Sequence, residues 1–174
     1  SYSGVYLDIE TGSNAAAPFG GADINFFFGG EGISNDADTT VGTPSLQFER
    51  AAATMLAVGL NARIGQSVGP STTFASGFGA SGSPNDHLGT SPGQFEDGVR
   101  GKLAFSLITT GPTTVYGYLD VTLTNNTSGG IIHGWAYEDT GANITVIPEP
   151  TSSLMAMLGS MAFLFGRRRA KSHS

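Results

Sequence analysis

The segment Thr114–Thr124 constrains the fold more than any other, because its residue types alternate with a period of two. The apolar residues are Val115, Leu119, Val121 and Leu123, and they alternate with Tyr116, Tyr118, Asp120, Thr122 and Thr124. Successive side chains of a β-strand point to opposite faces. The pattern therefore predicts a strand with one buried face and one face towards solvent.

Seven other short extended runs are separated by clusters of Gly, Ser, Thr, Asn, Asp and Pro. They are Gly4–Ile9, Asp23–Phe28, Ser45–Arg50, Thr72–Phe78, Lys102–Thr109, Ile131–Glu138 and Asn143–Ile147. Strands with turn signals between them are typical of sandwiches and barrels rather than of alternating βα units. We therefore predict that residues 1–147 form one all-β domain, an antiparallel, jelly-roll-like β-sandwich. Long loops are expected over Gly29–Pro44 and Gly79–Gly98.

One segment of this domain, Glu49–Leu60, favours a helix instead. It contains Ala51, Ala52, Ala53 and Ala57, and alanine has the highest intrinsic helix propensity. Gly59 and the short length oppose a stable helix. The segment is predicted to be a short helix or a helix-to-strand connection.

Composition excludes several classes of protein. Only 13% of the residues are charged and 39% are hydrophobic, which is unlike a disordered chain. The absence of cysteine excludes a disulfide scaffold, thiolate zinc sites and a cysteine nucleophile. Residues 1–147 carry 4 basic and 13 acidic side chains, a net charge of −9, which disfavours nucleic acid as a partner.

Candidate chemical groups in the domain are carboxylates and aromatic rings. Glu31, Asp36 and Asp38 share one predicted loop and are weak candidates for calcium, which prefers oxygen ligands. A carboxylate pair that includes Glu96 would be needed for a hydrolase. No nucleophile elbow is present in the sequence, and no cofactor is expected.

Four aromatic residues lie on neighbouring predicted strands: Tyr116, Tyr118, Trp135 and Tyr137. If they are exposed and coplanar, they form a platform on which sugar rings stack. If they are buried, they belong to the core and to cross-strand pairs. The core interpretation is favoured.

The last 27 residues, 148–174, differ from the rest of the chain. Pro148-Glu149-Pro150 enforces an extended backbone, and Thr151-Ser152-Ser153 follows as a spacer. An apolar block then contains Leu154, Met155, Leu158, Met161, Phe163, Leu164 and Phe165, and it ends in the cations Arg167, Arg168, Arg169 and Lys171. As a helix, residues 152–166 span about 22 Å of a bilayer core of about 30 Å. An apolar block ending in cations is typical of a stop-transfer segment with its cations in the cytoplasm, and snorkelling of the arginines offsets part of the missing length.

This order of Pro-Glu-Pro, apolar helix and basic tail resembles the PEP-CTERM sorting signal of Gram-negative bacteria. The resemblance implies an exported precursor that is anchored in the inner membrane and processed by an exosortase, a membrane-embedded protease. It also implies that residues 1–147 are released to, or displayed at, the cell surface, often in association with exopolysaccharide. Val115-Tyr-Gly-Tyr118 and Ile132–Glu138 further resemble the closing strands of secreted domains that carry such a tail.

We therefore expect an exported, non-enzymatic protein of the cell surface or extracellular matrix. A secreted carbohydrate-binding module is the alternative, and a secreted hydrolase is the third interpretation. The first residue, Ser1, is expected to follow a removed signal peptide or to begin an internal fragment.

Overall fold

The structure is a computed structural model that describes residues 4–27, 32–35, 46–52, 59–76, 88, 93–124 and 130–148. Within these ranges the chain is all-β, with eleven strands and no helix. The strands are β1 (Val5–Leu7), β2 (Asn14–Ala15), β3 (Ile24–Phe27), β4 (Gly32–Asn35), β5 (Leu46–Glu49), β6 (Ser67–Val68), β7 (Phe74–Ser76), β8 (Arg100–Ile108), β9 (Thr114–Thr122), β10 (Ile131–Glu138) and β11 (Ile144–Thr145).

The strands form three antiparallel sheets. The large sheet has the order β10-β9-β8-β5-β7, and the small sheet has the order β2-β1-β3-β4. A ribbon is formed by β11 and β6, which are far apart in the chain and pair antiparallel. The longest ladder joins β8 and β9 and runs from the pair Arg100–Thr122 to the pair Ile108–Thr114.

The main core combines apolar residues of the large and small sheets with a few residues that lie outside the strands. The small sheet and the residues next to it contribute Leu7, Ile9, Ile24 and Phe26; the other members are Leu46, Phe48, Phe95, Leu103, Phe105, Leu107, Val115, Leu119, Val121 and Leu123. Each of these side chains is buried, and burial of apolar area is the dominant favourable contribution to folding.

A second core covers the other face of the large sheet. Its buried members are Ala62, Val68, Ala104, Tyr118 and Val146, so the ribbon and the residues beside it supply part of it. As a result, every residue of β8 from 101 to 107 is buried, on both faces of the strand. The face of β9 that was predicted to point towards solvent is therefore covered, with Tyr118 and Asp120 buried.

Each of the eight predicted strands overlaps an observed strand, although β8 begins two residues before the predicted Lys102. The loop predicted over Gly29–Pro44 is wrong in part, because Gly32–Asn35 forms β4 by pairing with β3. The loop predicted over Gly79–Gly98 contains Phe95, which is fully buried in the main core. The pairing of β4 and the burial of Phe95 both depend on tertiary contacts, which a weak local pattern does not reveal.

The helix predicted over Glu49–Leu60 does not form at the ends of that segment. Glu49 belongs to β5, Arg50 forms a β-bridge with Gly59, and the Leu60 amide donates to the Glu49 carbonyl at 3.2 Å. A continuous helix would hold Glu49 and Leu60 about 16 Å apart, so the chain folds back on itself. Residues 53–58 lie outside the described ranges.

The predicted C-terminal helix also lies outside the described part of the chain, which ends at Pro148. No helix among the described residues is long and apolar enough to cross a membrane.

Candidate functional site

A charge cluster with two buried members and one exposed member lies on the second-core face of the large sheet. The cluster comprises Arg100 and Lys102 of β8 and Asp120 of β9. Strand register creates it: Lys102 is directly opposite Asp120, and Arg100 is two residues before Lys102 on the same face. Lys102 and Asp120 are 6% and 8% exposed, so two opposite charges are held almost entirely out of water.

The Asp120 carboxylate accepts hydrogen bonds from both cations. Arg100 donates from Nε to Oδ1 and from Nη2 to Oδ2, each at 2.8 Å, which is the bidentate geometry of a guanidinium–carboxylate pair. Lys102 donates from Nζ to Oδ2 at 2.5 Å. Three charge-assisted bonds thus share one carboxylate.

These bonds determine the protonation state of Asp120. Burial by itself raises the pKa of this carboxyl, but the hydrogen bonds and positive charges of Arg100 and Lys102 outweigh burial and lower the pKa to about 2. Asp120 is therefore ionised at neutral pH. A carboxylate with so low a pKa, and with both oxygens engaged, is poorly suited to accept a proton from a substrate.

The backbone around Lys102 links the cluster to the segment before the ribbon. The Lys102 amide donates to Asn61 Oδ1 at 2.9 Å, and its carbonyl accepts from the Ala62 amide at 2.8 Å. The Lys102 ammonium lies 5.8 Å from the centroid of the Tyr118 ring, within the range of a cation–π interaction. A Cβ at Gly101 would lie 2.6 Å from Phe95 Cε1, so this close approach requires glycine.

One histidine lies beside the cluster. His133 is at a register shift of β10, where Gly134 comes to lie opposite Asp120. Its Nε2 is 2.9 Å from the Thr122 hydroxyl, and its ring is exposed. Among the described residues, no group of three or more His, Asp or Glu side chains is arranged to hold a metal ion.

A second buried carboxylate, Glu49 of β5, lies on the same face of the large sheet. It is 8% exposed, and Gln66 Nε2 donates to its Oε1 at 2.7 Å. Its Oε2 is buried and has no hydrogen-bond partner among the described residues. Burial raises the pKa of Glu49, and the hydrogen bond from Gln66 only partly offsets that effect.

The four aromatic residues considered as a sugar platform lie on opposite faces of the large sheet. Tyr118 and Tyr116 are on the second-core face, where Tyr118 is buried and Tyr116 stacks on Phe74 with the centroids 5.9 Å apart. Trp135 and Tyr137 pack against the main core, and the indole N–H of Trp135 donates to the Ile9 carbonyl at 3.0 Å. The structure does not bring the four rings together on one surface.

Most other residues singled out in the sequence lie outside the described ranges. These are the calcium candidates Glu31, Asp36 and Asp38, together with Glu149, Pro150 and the whole apolar and basic tail. Pro148 is described and is exposed, as is Glu96.

Sequence reasoning missed the charge cluster, although a signal for it was present. Two cations at positions 100 and 102 share one strand face, and Asp120 lies in the polar phase of the next strand. Recognising the cluster requires the cross-strand register, which brings Lys102 opposite Asp120.

Compared with protein-family models, curated proteins and solved structures, the chain matches none of them.

Proposed function

We propose that this chain is an exported, non-enzymatic protein of the cell surface or extracellular matrix, delivered by a C-terminal signal of the PEP-CTERM type. The observation that carries the proposal is how close the last buried residue among those described lies to the Pro-Glu-Pro motif. The last strand of the described residues, β11, is followed within a few residues by Pro148, the first residue of the Pro-Glu-Pro motif.

Contacts around Val146 support this division into body and tail. Val146 is fully buried in the second core, its amide donates to the Gln66 carbonyl at 2.9 Å, and its carbonyl accepts from the Gly65 amide at 2.8 Å. The next two residues, Ile147 and Pro148, are exposed. Among the described residues, Val146 is thus the last one buried, and the motif begins at the exposed residue Pro148, as processing by a protease requires.

The body itself is proposed to be a β-sandwich of the jelly-roll-like kind. The main core combines apolar residues of the small sheet with those of the large sheet, which is how two packed antiparallel sheets bury their inner faces. Such a domain resists unfolding without disulfides when its core is large enough.

The charge cluster has a structural role in this proposal. Asp120 is engaged by Arg100 and Lys102, and the Lys102 backbone is tied to Asn61 and Ala62. These bonds specify the register of β8 against β9 and attach the segment before the ribbon to the sheet.

The tail is proposed to act in two stages. The apolar block and the arginines hold the precursor in the inner membrane, with the cations on the cytoplasmic side. The extended Pro148–Pro150 segment is then presented just outside the bilayer to an exosortase-type protease, and cleavage there frees the body.

The test is the intact mass of the protein recovered from the native cell surface. We expect a C-terminus between Pro148 and Ser153. Replacing Arg167–Arg169 with glutamate should abolish retention and processing, whereas replacing them with lysine keeps the charge and should preserve both. Surface protein that still contains Arg167–Arg169 would overturn the proposal.

A further inference from the structure

Two of the most exposed large apolar residues are next to one backbone pairing near Pro148, the last described residue. Ile64 is 55% exposed and Ile147 is 56% exposed. They flank one backbone hydrogen bond next to the ribbon, because Ile64 precedes the donor Gly65 and Ile147 follows the acceptor Val146, with an N···O distance of 2.8 Å. We call Arg63, Ile64 and Ile147 the exit patch.

The exit patch is close in the chain to the apolar tail. Six residues, 148–153, separate Ile147 from Leu154, the first residue of the apolar block. Fully extended, six residues span at most about 20 Å. When the tail is in a bilayer, the exit patch is therefore never far from the lipid headgroups.

We propose that the exit patch rests on the lipid surface and sets the orientation of the body on the membrane before processing. This inference rests on the proposed function, since it needs the tail to be anchored. Two half-exposed isoleucines alone bind a bilayer weakly, but a short tether raises their effective concentration at the surface to the millimolar range. Burial of their apolar area is then sufficient to favour contact.

Charge makes the contact directional. Arg63 is exposed, and a cation near anionic headgroups is favourable. Residues 1–147 carry a net charge of −9, so most other orientations bring carboxylates towards an anionic surface. The docked orientation keeps Pro148 at the level of the headgroups, where a membrane-embedded protease acts.

The absence of cysteine from the chain permits a direct test. Single variants Ile64→Cys and Ile147→Cys of the full chain are labelled with an environment-sensitive fluorophore and added to vesicles of phosphatidylethanolamine and phosphatidylglycerol. Matched controls are Val5→Cys and Ile108→Cys, since both residues are 46% exposed and lie in strands of the body. Flotation measures anchoring, and quenching by headgroup spin-labelled lipid measures contact.

We expect the protein to float with the vesicles and the labels at positions 64 and 147 to show a blue shift and strong quenching. The labels at positions 5 and 108 should keep their emission in water. Flotation with equal, weak quenching at all four positions would overturn the inference and leave the proposed function intact.

Two other results are also decisive. Failure to float would contradict membrane anchoring itself, and the inference would fall with it. Protection of positions 64 and 147 in native membranes but not in lipid vesicles would identify a protein, not lipid, as the occupant of the exit patch and would overturn the inference.

Discussion

Both faces of the large sheet contribute to a buried core, but the two cores are built from different chemistry. On the main-core face, the side chains from β5, β8 and β9 are apolar, with Phe48 and Phe105 among them. On the second-core face, Glu49, Lys102 and Asp120 are each less than 9% exposed, beside apolar residues such as Ala104. The same strands thus place an apolar interior on one side and a mixed interior on the other.

This difference shows what each face contributes. An apolar face gains free energy in proportion to the area it buries and imposes little directional preference. A buried charge cluster gains little net free energy, because desolvation opposes the attraction, but it is costly to break. The main core therefore supplies most of the stability, while the second face supplies pH dependence and a preference for one register.

The largest loss of stability is expected from a substitution that leaves a cavity in the main core. Phe105→Ala removes a fully buried ring and should lower the free energy of unfolding by about 4 kcal/mol, measured by urea denaturation with circular dichroism. Ile108→Ala on the same strand is the control, because Ile108 is 46% exposed and should cost less than about 1 kcal/mol. Equal losses for the two variants would contradict the location of the core.

The next largest loss of stability is expected from removing the carboxylate of the charge cluster. Asp120→Asn leaves the buried Lys102 ammonium without its carboxylate and should cost about 3 kcal/mol. Asp139→Asn, at an exposed acidic residue, should change stability by less than about 0.5 kcal/mol. The double variant Lys102→Met, Asp120→Leu replaces the buried ion pair with apolar side chains and should lose less stability than Asp120→Asn alone. A double variant that loses more would show that the charges contribute net stability.

The smallest change in the free energy of unfolding is expected at Glu49, where the substitution should stabilise the protein. Because burial raises its pKa, ionised Glu49 opposes folding, so its penalty develops as the pH rises from about 4.5 through the pKa in the folded state. Glu49→Gln should therefore raise stability at pH 7 by up to about 1 kcal/mol and have no effect below pH 4. Denaturation curves across this range measure the difference.

The same pH series allows Asp120 to be compared with Glu49, because the pKa values of the two carboxyls shift in opposite directions. Its pKa is lowered from 3.8 to about 2, so its stabilisation is complete above pH 3.8 and is lost as the pH falls towards 2. The cost of Asp120→Asn should shrink in that window, whereas the effect of Glu49→Gln changes at higher pH. A common pH window for both variants would contradict the opposite environments of the two carboxylates.

The strands could be predicted because a period of two is a local property of the sequence. Val115, Leu119 and Val121 belong to the main core, as their alternation on β9 indicates. Burial of the opposite face could not be predicted in this way. It depends on β6 and β11, which are two residues long and pair across 76 residues of chain, as the Asn143–Ser67 hydrogen bond illustrates.

The same limit applies to the charge cluster and to the alanine-rich segment. Asp120 looks like a solvent-facing residue until β8 places Lys102 opposite it and the second core covers both. Helix propensity at Ala51 and Ala52 amounts to a few tenths of a kcal/mol per residue. Pairing of Arg50 with Gly59 overrides it at the ends of the segment.

Trp135 joins the two principal sheets, and it is the only tryptophan in the chain. Its indole donates to the Ile9 carbonyl, just beyond β1, while its backbone belongs to β10. Because Trp135 is partly buried, its fluorescence monitors this contact: the solvent exposure of the indole increases when the small sheet separates from the large one. Comparison of that emission with the far-ultraviolet signal would reveal whether the two layers part before, or together with, the loss of their strands.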